Sequence, residues 1–432
     1  MERTIYSSLL AWKKSPSRKP LVLNGARQVG KTWILKEFGT KEYKNLVYFN
    51  CDGNKTIEQV FQDGFQMKSI IMNLGAIAGQ EIFPGETLIV FDEIQEVPSV
   101  LTALKYFAED VPEYHVAAAG SLLGLALHEG TGFPVGKVDI LNLYPMSFDE
   151  FVLAVQGKQL SDILHSSNLE SFAPLDTKFV EILRLYYFTG GMPEAVDAYV
   201  HGKSTQDIRN IQKAILYAYG KDISKHAEPG IVQKIHQVWD SIPQQLAKEN
   251  KRFIYGALRH GARAKEYETA IQWLIDAGLV YKVQRVRKAG IPLKFHEDTE
   301  AFKLFLLDCG LMGVLSDAPP EQILIGNSIF EEYKGAFTEQ YVVEQLKAQE
   351  AAKGLSIFYF SADDSKQELD FLLQEGSELI PIEVKAEENL RSKSLRQFVL
   401  DHPSVHGIRF SMSPYRTQDW MTNIPLYAVC RI

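Results

Sequence analysis

Gly25, Gly30, Lys31 and Thr32 stand in the spacing G-x-x-x-x-G-K-[ST], with Ala26, Arg27, Gln28 and Val29 between the glycines. Glycines in such a loop let the backbone curl, so that successive N–H groups and the N-terminus of a following helix face phosphate oxygens. The lysine reaches the β- and γ-phosphates, and the threonine hydroxyl suits a magnesium ion. The apolar run Leu21-Val22-Leu23-Asn24 precedes the loop, and Trp33-Ile34-Leu35-Lys36-Glu37-Phe38 follows it. Strand, loop and helix are in the order the chemistry needs. The stretch from Gly25 to Trp33 is therefore expected to bind ATP, with Thr32 on Mg2+.

Glycine-rich turns also serve as plain strand-to-helix connections, so a second motif carries weight. Thr87-Leu88-Ile89-Val90-Phe91 is a continuous apolar run ending in Asp92-Glu93. Such a run predicts a strand buried on both faces of a parallel sheet, with carboxylates emerging at its C-terminal end. Asp92 suits the magnesium contact, and Glu93 is positioned to polarise an attacking water, which points to hydrolysis. A further apolar run, Tyr114 to Ala119, ends at Gly120-Ser121. Ser121 either senses the γ-phosphate or orients the water, or else caps a helix.

A second constellation lies near the C-terminus, where Glu368-Leu369-Asp370-Phe371-Leu372-Leu373 is followed, after a polar turn, by Leu379-Ile380-Pro381-Ile382-Glu383-Val384-Lys385. Glu383 and Lys385 are two apart and share one strand face. The order resembles the PD-(D/E)xK nuclease motif. In that reading Asp370 and Glu383 hold a second Mg2+, Lys385 orients or deprotonates water, and Glu339 joins them from the preceding helix. Arg396 and Gln397 would steer phosphate. The competing reading makes Glu383 and Lys385 an ordinary ion pair and leaves the nuclease-like fold as a binding module.

Taken together with Phe91-Asp92-Glu93-Ile94-Gln95, Leu143-Tyr144-Pro145-Met146-Ser147-Phe148-Asp149-Glu150-Phe151 and Thr189-Gly190-Gly191-Met192-Pro193-Glu194, these motifs give the chain a family resemblance. It resembles bacterial and archaeal ATP-binding proteins that join an AAA-type P-loop domain to a C-terminal nuclease-like domain of unknown function. The resemblance implies an ASCE-type ATPase, the division with an additional catalytic glutamate. Relatives often carry Gly-Arg where this chain has Gly136-Lys137, so no arginine finger is carried over to that position. Lysine lacks the planar fork that grips a transferring phosphoryl group. Arg3, Arg27 and Arg184 are the other candidates.

The elements that must position these groups fit an α/β protein of several domains. At 432 residues the chain exceeds a single core. The order of apolar runs predicts a P-loop ATPase domain over 1–156, a helical lid or linker over 157–225, a winged-helix domain over 226–318 and a restriction-endonuclease-like α/β domain over 326–432. In the third, Ala264 to Gly278 has helical spacing and two strand-like runs follow. Arg259, His260, Arg263 and Lys265 would meet double-stranded DNA, with Arg285, Arg287 and Lys288 on the wing. Glu266 and Glu268 on the same helix would repel a phosphate backbone.

Net charge is −8, which argues against a surface coated for non-specific nucleic-acid binding and leaves room for a local basic groove. The three cysteines, Cys51, Cys309 and Cys430, are widely spaced and indicate neither a disulfide framework nor structural zinc. With no signal-peptide profile and no long apolar span, a cytoplasmic protein without membrane contact is expected. Two functions compete: an ATP-hydrolysing enzyme that acts on DNA, and a slow nucleotide switch whose terminal domain binds a protein partner or a second copy.

Overall fold

A computed structural model describes residues 1–62, 64–121, 134–166, 173–325, 328–362, 367–386 and 392–432, with only the backbone described over 328–333. The chain divides into two compact units: residues 1–144 with 276–278, and residues 145–275 with 279–432. The first unit ends at Tyr144, inside the Leu143-to-Phe151 motif.

The first unit is built on five parallel strands: β1 (Leu21–Asn24), β2 (Asn45–Asn50), β3 (Thr87–Asp92), β4 (His115–Gly120) and β5 (Asp139–Asn142), in the order β2-β3-β4-β1-β5. Every residue of β3 and β4 is buried, as continuous apolar runs demand when helices cover both faces of a sheet. One core joins Val47, Phe49, Ile89, Phe91 and Val116 of the strands to Ile70, Leu74, Leu101, Leu104 and Phe107 of the helices Met67–Ala78 and Pro98–Asp110. Register puts Asn50 beside Asp92 and Asn24 beside both Gly120 and Asn142. The C-terminal ends of all five strands therefore share one edge, where ligands bind in open α/β sheets.

The second unit carries helices and an eight-stranded sheet. Its strands are β6 (Val280–Val286), β7 (Glu297–Leu306), β8 (Leu355–Ser361), β9 (Glu368–Glu375), β10 (Glu378–Val384), β11 (Gly407–Ser411), β12 (Arg416–Thr417) and β13 (Met421–Pro425). The order is β12-β13-β11-β10-β9-β8-β6-β7. Here the structure departs from the sequence reading: the pair expected to form a wing is the end of the same sheet that carries Asp370 and Glu383, with β6 pairing parallel to β8. The reason is apolarity. Residues 301–306 of β7 are all buried, whereas a wing needs a solvated face.

The helix Ala264–Asp276 forms as its spacing predicts, burying Tyr267, Ala270, Ile271, Trp273 and Leu274. The Tyr144-Pro145-Met146 and Thr189-Gly190-Gly191 motifs also acquire a structural reason. Met146 N–H donates to Gly191 O at 2.6 Å, and Tyr186 OH donates to Met146 O at 2.6 Å. A Cβ on Gly190 would lie 2.2 Å from Asp308 Oδ1, and one on Gly191 would lie 2.1 Å from Met146 O. Asp308, fully buried, accepts from Gly191 N–H and caps the helix Cys309–Leu315 through Leu311 N–H. These glycines allow close backbone packing.

Candidate functional site

Within the first unit, β1 ends at Asn24 and the chain turns at once into the glycine loop. Gly25 has φ 153°, and a Cβ there would sit 2.2 Å from Leu143 O, so only glycine fits. Gly30, at φ 98°, is the N-cap of the helix Lys31–Glu42, with Ile34 N–H bonding back to Gly30 O at 3.0 Å. Gln28 also holds a left-handed φ of 67°. Ala26 and Val29 are buried, whereas Arg27, Gln28 and Trp33 are exposed. Arg3 braces the loop from the N-terminus, donating to Val29 O at 2.9 Å and to Tyr144 O at 2.7 Å. That structural task accounts for one arginine-finger candidate.

Lys31 is buried, and its ammonium donates to Gly25 O at 2.9 Å and Ala26 O at 2.7 Å. Burial lowers its pKa to about 8, only partly offset by the Glu93 and Asp92 carboxylates. Thr32 Oγ1 donates to Asp92 Oδ2 at 2.5 Å, and Tyr48 OH donates to the same oxygen at 2.8 Å. Glu93 follows β3 with a left-handed φ of 49°, a strained conformation for a non-glycine residue of the kind that collects at functional sites. Its Oε2 accepts from Gln95 Nε2 at 2.7 Å and from Ser121 Oγ at 3.1 Å.

The structure thus brings together Gly25 to Thr32, Asp92, Glu93 and Ser121. It adds two residues to which sequence reasoning gave no role, Tyr48 and Gln95. Gln95 lies in the quoted Phe91-to-Gln95 motif, but only the fold shows where its amide goes. Lys137 pairs with Glu109 at 2.8 Å, and Arg184 donates to Ile325 O at 3.4 Å within the second unit.

The C-terminal constellation gathers in the second unit, with a different outcome from the one expected. Glu339 projects from the helix Ser328–Lys353 and Asp370 lies on β9, and the charges of the two carboxyl groups act on one another. Val384 N–H donates to Asp370 Oδ2 at 2.7 Å. Two lysines that sequence reasoning missed close on Glu339: Lys251 bonds Oε1, and Lys303 reaches Oε2 at 3.5 Å and Glu368 Oε1 at 3.3 Å. Glu383 pairs with Lys385 at 2.7 Å. The signal for Lys303 was a lone charge inside the apolar run Phe302-Lys303-Leu304-Phe305-Leu306-Leu307.

Burial and the Glu339 charge push the Asp370 carboxyl up, whereas Lys251 and Lys303 hold Glu339 down against burial. Burial opposes the Lys303 ammonium too, but Glu339, Asp370 and Glu368 outweigh it and raise its pKa. Among the described residues, no group of three or more His, Cys, Asp or Glu side chains is arranged to hold a metal ion. Glu339, Asp370 and Glu383 lie outside any such group.

Of the seven residues expected to meet DNA, three are paired with acids within the unit. Arg259 pairs with Glu266, and Arg285 and Arg287 both reach Asp298, at 3.3 and 2.9 Å. His260, Arg263, Lys265 and Lys288 are exposed. Arg396 and Gln397 are exposed on the helix Lys393–Asp401, where Gln397 bonds Asp401. Among the described residues no helix is long and apolar enough to cross a membrane.

A parallel sheet with a glycine loop after β1, an acid pair at the end of β3 and β4 inserted between them is the arrangement of a P-loop nucleotide-binding domain. Comparison with known families agrees, since residues 17–152 match the model of an AAA domain. Residues 180–322 and 334–429 match two models described as domains of unknown function, DUF8612 and DUF4143. Among solved structures, the chain is similar to a Walker-type ATPase of Pyrococcus abyssi, with 15% identity over 73% of this chain and 95% of that one, at a TM-score of 0.46. The Orc1 protein of Aeropyrum pernix in complex with DNA matches at 13% identity over 74% of this chain and 92% of that one, with a TM-score of 0.27. No curated protein matches the sequence.

Proposed function

We propose that this protein binds ATP with magnesium at the P-loop of its first unit and hydrolyses it slowly, as a nucleotide-dependent switch. The observation that carries the reading is the grip on Glu93: Ser121 and Gln95 both donate to Oε2, which leaves Oε1 to take a water proton. Thr32 and Asp92 fit a magnesium ion, because a hydroxyl and a carboxylate already meet at the strand end beside the loop. When bound, the ion would neutralise charge on the β- and γ-phosphates. Loop N–H groups would cradle the phosphates, and Lys31 would exchange its carbonyl partners for phosphate oxygens.

The switch reading is favoured over a DNA-cutting enzyme by the second unit. Arg285 and Arg287 share Asp298, and Arg259 faces Glu266, so three of the seven basic side chains expected to meet phosphates are matched internally, and only His260, Arg263, Lys265 and Lys288 are left to make a DNA surface. The test is steady-state ATP hydrolysis in magnesium, with and without double-stranded DNA, against a Lys31→Ala background. A slow, Lys31-dependent rate indifferent to DNA is expected. A rate raised severalfold by DNA would replace the switch with the DNA-acting enzyme, and a rate equal to that of Lys31→Ala would overturn ATP hydrolysis altogether.

A further inference from the structure

The acid, acid and lysine of the C-terminal constellation follow the order of a metal-dependent nuclease, yet their partners are ammonium groups. Lys303 projects from β7 with 1% of its side chain exposed and lies between Glu339 and Glu368. Lys251, with 16% exposed, holds the other Glu339 oxygen. Lys385 holds Glu383 Oε1, and the Val384 N–H occupies Asp370 Oδ2. Three ammonium groups thus face the four carboxyl groups of Glu339, Glu368, Asp370 and Glu383. A cation placed here would have to displace Lys303, which is buried against the Tyr359 ring at 5.0 Å and has no solvent to retreat into.

We infer that lysines, and not a divalent cation, pair the glutamates of this centre: Lys303 and Lys251 stand where a metal would be needed, and the terminal sheet carries a metal-independent ion cluster. Glu383 Oε2 is the one carboxylate oxygen of the set that is buried without a hydrogen-bond partner. Magnesium needs only one or two carboxylates, with waters filling the rest of its shell, but here Glu339, Glu368 and Glu383 are each already bound to an ammonium group. The cluster has a mechanical result as well. It ties the segment after the helix Val232–Leu246, through Lys251, and the edge strand β7, through Lys303, to the helix and strands of the nuclease-like order. The inference rests on this geometry alone and is independent of the ATPase reading.

The test is Mn2+ binding to the full chain without nucleotide, read by the free-ion electron paramagnetic resonance signal, in Asp92→Asn so that the P-loop contributes no carboxylate at that position. No saturable site is expected. A saturable site that disappears on Asp370→Asn or Glu383→Gln would overturn the inference. Removing both lysines, Lys251→Met with Lys303→Met, should then create a saturable Mn2+ site and make the thermal midpoint rise with Mn2+. A folded double variant that still takes up no Mn2+ would show that the lysines do not occupy the cation's place. If the double variant fails to fold, Lys303→Gln alone carries the same expectation, since it removes the buried ammonium and keeps a polar group beside Glu339 and Glu368.

Discussion

Two acid clusters in this chain solve the same electrostatic problem in opposite ways. In the first unit Asp92 and Glu93 are held by neutral donors: the hydroxyls of Thr32, Tyr48 and Ser121 and the amide of Gln95. Hydrogen bonds of that kind orient a carboxylate without cancelling its charge, so the site keeps a demand for a cation. In the second unit Glu339 and Glu383 are held by Lys251, Lys303 and Lys385, which cancel charge directly. The lesson is that carboxylates in a suggestive order do not define a metal site; the donors around them do.

The comparison breaks most sharply at Glu93. Glu93→Gln should keep ATP binding and lower kcat by about 10²- to 10⁴-fold, the usual worth of a positioned general base. Its stability should hardly change, because the neutral amide can still meet Ser121. Measured turnover equal to wild type would remove Glu93 from the chemistry.

Lys303→Met should do the reverse. It leaves Glu339 and Glu368 short of a buried partner, a change that typically costs about 3–5 kcal/mol, with ATP turnover unaffected in whatever fraction stays folded. Denaturant unfolding measures the first effect. A loss below about 1 kcal/mol, the range of exposed ion pairs, would mean that Lys303 is not integral to the cluster.

Much of the first site was legible because its chemistry is local in sequence. Gly25 to Thr32 are contiguous, and the apolar run before Asp92 announces a buried strand. What the sequence hid came from neighbouring strands: Tyr48 reaches Asp92 because β2 and β3 pair in register, with Asn50 beside Asp92. In the second unit the strands and the helix bearing Glu339 were legible from their spacing. The lysines were not, because Lys251 and Lys303 are 88 and 36 residues from Glu339 and only the sheet order brings them together. The expected wing differs for the same reason: a two-strand pattern does not reveal that β6 pairs with β8 and so joins the larger sheet.

Within the first site the neutral donors can be tested one at a time. Gln95→Ala removes the shorter of the two bonds to Glu93 Oε2, leaving Ser121. If Gln95 positions the base, kcat should fall about tenfold, about 1.4 kcal/mol and close to the lower end for one hydrogen bond to a charged group, while KM for ATP stays put. Gln95→Glu should fall further, because a like charge then faces Glu93. A rise in kcat with Gln95→Ala would instead make the amide a restraint on Glu93, and the first site would be a latched one.

The smallest expected effect near neutral pH is that of pH itself, and its sign separates the two clusters again. Burial sets the Lys31 ammonium at about 8 in the nucleotide-free protein, and phosphate oxygens in place of the Gly25 and Ala26 carbonyls would raise it. ATP binding then takes up a proton whenever Lys31 starts deprotonated. By linkage, affinity is full well below pH 8, about twofold weaker near pH 8, and falls by up to about tenfold per pH unit above it until the bound-state value is reached. Titration of a fluorescent ATP analogue across that range measures the slope. In the second cluster carboxylates raise the Lys303 pKa instead, so its ammonium persists over the same range and contributes no slope to stability there. An ATP affinity that is flat to pH 9.5 would mean that Lys31 is not the buried, desolvated ammonium the loop geometry makes it.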